Sequence, residues 1–169
     1  MKNRTHISPE IPSLLQPDIN ALTDYLWTHM DHNAFLTLNG LWFVWNEADY
    51  IQIARFHACG DAAILPEHRA KGCMWYARQV CIVDVKQIVL YWQRKQPGTQ
   101  HTPDTEDIAY LRRDLLVTAL HELRHLLLDT NPALWDDYPA EFATEFQVER
   151  YAQEICEYRD ISHIFIEKE

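Results

Sequence analysis

The residues best equipped for chemistry in this chain are His121, Glu122, Leu123, Arg124 and His125, which read H-E-x-x-H. They sit in a stretch with helical periodicity. Four residues along an α-helix turn through slightly more than one full turn, so the two imidazoles stack on one face. Two neutral imidazole nitrogens in that arrangement can bind one Zn²⁺. Glu122 is rotated by about 100° from His121, which takes it out of line with the two ligands but leaves it within reach of a water on the metal. Two nitrogens, a carboxylate base and an open position are what metal-assisted hydrolysis requires. The competing reading is a pair of surface histidines on an acidic helix. The apolar flanks, Leu115-Leu116-Val117-Thr118-Ala119-Leu120 before and Leu126-Leu127-Leu128 after, weigh against it. A polar cluster inside such a helix costs free energy unless something satisfies it, and a metal would.

A catalytic zinc usually takes three protein ligands. Downstream, Glu141, Glu145 and Glu149 recur every four residues and form one stripe on a second helix, expected from Pro139 to about Tyr158. Such a stripe can also be solvated surface. A connection of about ten residues lets this helix pack back against the motif helix. Glu145, about two turns into its helix, is the preferred third ligand, with Glu141 as the alternative. Glu149 is placed to orient His121 by accepting its free N–H. His163 lies beyond the second helix and ranks below the carboxylates. Tyr138 and His163 are the candidate oxyanion donors, although a Tyr placed beside a proline, as Tyr138 is beside Pro139, is more often a packing residue.

These side chains need elements to hold them. Asp104 is suited to cap the motif helix, with Glu106 and Asp107 in its first turn, and the helix should end near residues 129–132. Residues 1–16, carrying Ser8, Pro9 and Pro12, suggest an irregular arm, followed by a helix from Pro17 to about Met30. Asn39-Gly40 between Phe35–Leu38 and Leu41–Trp45 signals a β-hairpin. Tyr50–Phe56 suggests a third strand after a turn at residues 46–49. Residues 57–72 suggest a long loop, and Val80–Val83 and Ile88–Trp92 suggest further strands. Strands grouped before two helices imply an α+β fold with a small, mostly antiparallel sheet.

At 169 residues and 47 % apolar composition, the chain suits a single domain over 1–169 with a real core. No run approaches a membrane span, and Met1-Lys2-Asn3-Arg4 leads into no apolar signal core, so the expected location is the cytoplasm and no membrane partner is expected. Cys59, Cys73, Cys81 and Cys156 form no C-x-x-C pair and read as reduced thiols. The net charge of −10 argues against direct nucleic-acid binding, which needs a cationic surface.

The motif followed by a Glu-bearing helix resembles the gluzincin zinc metallopeptidases. Glu145-Phe146-Gln147-Val148-Glu149-Arg150-Tyr151-Ala152 is similar to the E-x-E-A-x-x-F-A pattern of small bacterial and phage ImmA/IrrE-like metallopeptidases. Gln147 and Val148 depart from that pattern, and Arg124 stands where H-E-L-G-H has glycine. The resemblance covers roughly residues 105–158. It implies a minimal zincin-like domain that cleaves a peptide bond in a protein or peptide substrate. Zinc on His121, His125 and Glu145 would activate a water, with Glu122 as general base. Zincins commonly pair the substrate backbone with an edge strand, and Ile88–Trp92 is the expected counterpart.

Two other readings remain open. Lys71-Gly72-Cys73-Met74 is similar to the cysteine-bearing E-G-C-L stretch of peptide deformylases, in which a cysteine upstream of H-E-x-x-H is the third ligand; that family's G-x-G-x-A-A-x-Q loop is absent here, and Arg124 stands where its motif has Asp. A zinc-binding interaction module with a vestigial motif is the other. In that case the six Trp and eight Tyr would supply a recognition surface.

Overall fold

The computed structural model describes residues 4–29, 38–57, 69–95 and 105–130. Within them the fold is α+β, four helices on a four-stranded mixed sheet. In chain order the elements are β1 (Thr5–Ile7), α1 (Gln16–His29), β2 (Gly40–Val44), α2 (Glu47–Phe56), β3 (Gly72–Trp75), β4 (Val80–Asp84), α3 (Val85–Lys95) and α4 (Thr105–Thr130). The strand order is β1-β2-β4-β3.

The two central strands explain the sheet. Every residue of β2 (Gly-Leu-Trp-Phe-Val) and β4 (Val-Cys-Ile-Val-Asp) is buried. Near-continuous apolar strands of this kind belong between two covered faces, and parallel pairing is the usual result. β1 pairs with β2 and β2 with β4 in parallel; only β3 runs antiparallel, beside β4. On one face Leu41, Phe43, Cys81 and Val83 join a core with Leu22 and Leu26 of α1, Ile88 and Trp92 of α3, and Leu115, Leu116, Leu120 and Leu123 of α4. On the other, Trp42, Val44, Val80 and Ile82 pack under Tyr50 and Ile53 of α2.

The expectation of a mostly antiparallel sheet is therefore corrected. Gly40 is not a turn residue: it opens β2, whose two sides are taken by β1 and β4, and residues 35–37 of the expected hairpin lie outside the described residues. Asn39 instead ties the start of β2 to the β3–β4 connection. Its N–H donates to the Gln79 carbonyl (2.8 Å) and its side-chain amide to the Arg78 carbonyl (2.9 Å).

Two expected strands are helices. Tyr50–Phe56 belongs to α2, because Asn46 and Asp49 form a reciprocal capping box and Tyr50, Ile53 and Ala54 follow at helical spacing on the buried face. Ile88–Trp92 belongs to α3. There the Asp84 carboxylate accepts the Gln87 N–H (3.1 Å) at the helix start, and Val85, Ile88 and Trp92 line one buried stripe. The arm expected over residues 1–16 contains β1, and its Ile11 and Leu15 are core residues. Helix α1 agrees with its expected span to within a residue.

A buried ionic group locks α2, β4 and the chain before β3 together. Asp84 is fully buried; it accepts from the Tyr50 hydroxyl (2.8 Å) and from Arg69 Nε (2.7 Å), and Arg69 also donates to the Trp45 carbonyl (3.1 Å). Burial first, and the Asp84 charge second, push the Tyr50 phenol far above its ordinary range, so it stays a donor.

Candidate functional site

Helix α4, 26 residues long, carries the H-E-x-x-H motif as expected. Leu111, Leu115, Leu116, Ala119, Leu120, Leu123 and Leu126 bury one side of it against the sheet and α1. That anchoring fixes the rotation of the helix about its own axis and leaves His121 and His125 half-buried at the edge of the core. His125 Nε2 lies 3.1 Å from His121 Nε2, with ring centres 4.8 Å apart and ring planes at 69°. Two nitrogens each about 2.0–2.1 Å from a tetrahedral zinc stand roughly 3.3 Å apart. The pair therefore fits two adjacent corners of a zinc site. Among the described residues no group of three or more metal-ligating side chains occurs. Glu141, Glu145 and Glu149, with Tyr138 and His163, lie outside the described residues.

Glu122 is 7 % exposed, pointing into the gap between α4 and β3. A Cβ added to Gly72 would stand 2.5 Å from Glu122 Oε1, 2.7 Å from its Cγ and 2.8 Å from Thr118 Cγ2. Only a residue without a side chain leaves the carboxylate this position against the strand.

Strand β3 and α4 run in the same direction. Lys71 Nζ donates to Asp114 Oδ2 (3.1 Å), Gly72 faces Thr118 and Glu122, and the Tyr76 ring meets the His125 ring edge-on at 6.2 Å and 80°. Side chains alternate along a strand, so Gly72 and Met74 share the side toward α4, and Tyr76, the first residue of the 3-10 turn that follows β3, meets the same helix at His125. Met74 confirms the phase by joining the α4 core. Cys73, between Gly72 and Met74, projects from the opposite face. Burial, and after it the Glu122 charge, push its thiol upward. The pleat thus separates Cys73 from the histidine pair, which weighs against the deformylase-like arrangement. Cys81 is buried and its thiol pushed well up, first by burial and then by Glu122.

β3 is the outer strand of the sheet, with no neighbour on its far side among the described residues. The edge beside the motif is therefore β3; Ile88–Trp92, expected in that role, is part of α3. Gly72 and Tyr76 were absent from the candidate residues drawn from the sequence. Their signal, an every-second-residue pattern ending in an aromatic, has meaning only once β3 is known to lie on α4. No described helix is long and apolar enough to cross a membrane. No known protein family, curated protein or solved structure matches the chain.

Proposed function

We propose that this protein is a zinc-dependent metallopeptidase of the gluzincin type, with a zincin-like arrangement of edge strand, motif helix and second ligand-bearing helix. The observation that carries the reading is the convergence of His121 Nε2 and His125 Nε2 to 3.1 Å on a rigid, core-anchored helix. The buried Glu122 carboxylate one residue along adds the base. Zinc, when bound, supplies an acidified water and polarises a carbonyl. His121 and His125 hold it, and Glu145 is the proposed third ligand. Glu122 accepts a proton from the attacking water and returns it to the leaving amine. The outer edge of β3, which has no neighbouring strand among the described residues, is the proposed seat for an extended segment of a protein or peptide substrate. The protein would act in the cytoplasm, where free thiols such as Cys73 and Cys81 stay reduced.

Elemental analysis of gently purified protein tests the metal. One zinc per chain is expected, lost in His121→Ala and in His125→Ala; protein without zinc both as purified and after reconstitution would sink the reading. Glu122→Gln should keep zinc and fold but stop the cleavage of co-incubated proteins followed by mass spectrometry. A Glu122→Gln variant that cleaves at the wild-type rate removes Glu122 as the base. One that does not cleave yet keeps full control of its partner points instead to an interaction module.

A further inference from the structure

We infer that the cavity at the carboxyl ends of β1 and β2, beside α2, binds a small alkyl cation with N–H donors, of the guanidinium or ammonium type. The site is separate from the histidine pair, because Trp42, which lines the cavity, packs with α2 on the sheet face opposite α4.

Topology makes the cavity. β1 and β2 run parallel, so their carboxyl ends lie side by side. The chain leaving β1 leads to α1, which packs with α4 on one face of the sheet; the chain leaving β2 leads to α2 on the other. Neighbouring strands whose connections part in this way leave a crevice beyond their ends, the usual place for a ligand in an open sheet of parallel strands. Here the crevice has a volume of about 270 Å³, with His6, Ser8 and Pro9 from β1 and the chain after it, Trp42 from β2, and Asp49 and Gln52 from α2 along its walls. At about 30 Å³ per water it has room for about nine waters, or for a molecule of that bulk.

The side chains choose the charge of that molecule. Asp49 is largely buried. Its Oδ2 accepts the Trp45 N–H (2.8 Å) and the Asn46 N–H (3.0 Å) at the start of α2, whereas its Oδ1 accepts no hydrogen bond among the described residues. An open carboxylate oxygen in a confined site is best matched by a cationic N–H donor. No Lys or Arg is among the described residues that line the cavity. His6, flat on Trp42 at 3.9 Å, does not compete either: burial lowers its pKa, so the ring is neutral at pH 7 and does not repel a cation. Gln52, three residues beyond Asp49 on the same side of α2, adds an exposed amide, and Ser8 adds a buried hydroxyl. Trp42 and Pro9 offer apolar surface to a short alkyl chain. The net charge of −10 further favours the approach of a cation.

Butylguanidinium and its uncharged isostere butylurea are the probes, titrated into the full chain at physiological ionic strength and followed by two-dimensional NMR. Butylguanidinium should saturate a single site and shift the Trp42 indole signal and the Ser8 and Gln52 amide signals, but not those of residues 121–125. Butylurea should bind about tenfold more weakly, the scale of the charge-assisted hydrogen bond it cannot make. Asp49→Asn, which keeps one oxygen for the helix cap, should weaken butylguanidinium by a similar factor. Gln52→Lys, an exposed change that leaves the cap untouched, should also weaken it, and Gln52→Glu should strengthen it; this pair decides if Asp49→Asn fails to fold. Equal affinity for the guanidinium and the urea, or equal butylguanidinium affinity in Gln52→Lys and Gln52→Glu, overturns the inference. So does binding that never saturates, or shifts confined to other parts of the chain.

Discussion

The Glu122 carboxylate occupies the space that a side chain at Gly72 would fill, with Oε1 only 2.5 Å from the position of the missing Cβ. A residue on the edge strand and the proposed base on the helix are therefore fitted to one another, although fifty positions separate them in the chain.

That fit makes a coupled prediction. Gly72→Ala forces Glu122 and Thr118 aside and should destabilise the fold by about 1–3 kcal/mol, the usual cost of overpacking. In a Glu122→Ala background much of the room is restored, so the same substitution should cost less, with a coupling of about 0.5–3 kcal/mol. Urea unfolding of the four proteins in this cycle measures it. Strictly additive effects would mean that the strand moves away from α4 without strain.

The three downstream carboxylates differ in their expected roles, and a zinc titration separates them. Glu145→Ala should leave the site nearly empty at micromolar zinc. Glu149→Ala should weaken affinity by roughly 10–100-fold, as loss of a residue that orients a ligand does. Glu141→Ala should cost no more than a few tenths of a kcal/mol at a helix start. If Glu141→Ala alone empties the site, the ligand lies one helical turn earlier.

Arg69→Met should be among the most damaging substitutions far from the histidines. It leaves Asp84 fully buried with the Tyr50 hydroxyl but without a compensating charge. Breaking a buried pair in this way costs about 3–5 kcal/mol. Thermal unfolding checks it, and a shift of only a degree or two would mean that solvent reaches Asp84.

Stability should fall as pH drops through the ordinary histidine range. The pKa of His57 is lowered, first by burial and then by the His6 and Arg78 charges; that of His6, stacked on Trp42 at 3.9 Å, is lowered by burial. Moreover, His57 Nε2 accepts the Trp42 indole N–H (3.2 Å), which only the neutral ring can do. The unfolded chain then binds more protons than the folded one below about pH 6.5, so the stabilisation is present above that value and lost beneath it. Comparing urea midpoints at pH 7.5 and 5.5, the double variant His6→Phe, His57→Gln should lose less stability on acidification than the wild type. An equal loss in both proteins would assign the acid sensitivity to carboxylates.

The sequence by itself determined what depends on neighbours a few residues apart. The stacking of His121 over His125, the spans of α1 and α4 and the buried stripe of α4 all follow from the 3.6-residue period. Local rules also went astray where two of them competed. Tyr50–Phe56 and Ile88–Trp92 have strand-like composition, yet the capping box of Asn46 with Asp49 and the Asp84 carboxylate at Gln87 start helices there. Asn39-Gly40 carries a turn signal, yet β2 is enclosed by two parallel partners. Only the tertiary structure decided which strand lies beside the motif, which way it runs, and that Gly72 and Tyr76 face Glu122 and His125 while Cys73 turns away. Strand neighbours and the phase of a two-residue alternation are set by which face is buried against a distant helix, and a chain cannot encode that choice in the spacing of adjacent residues.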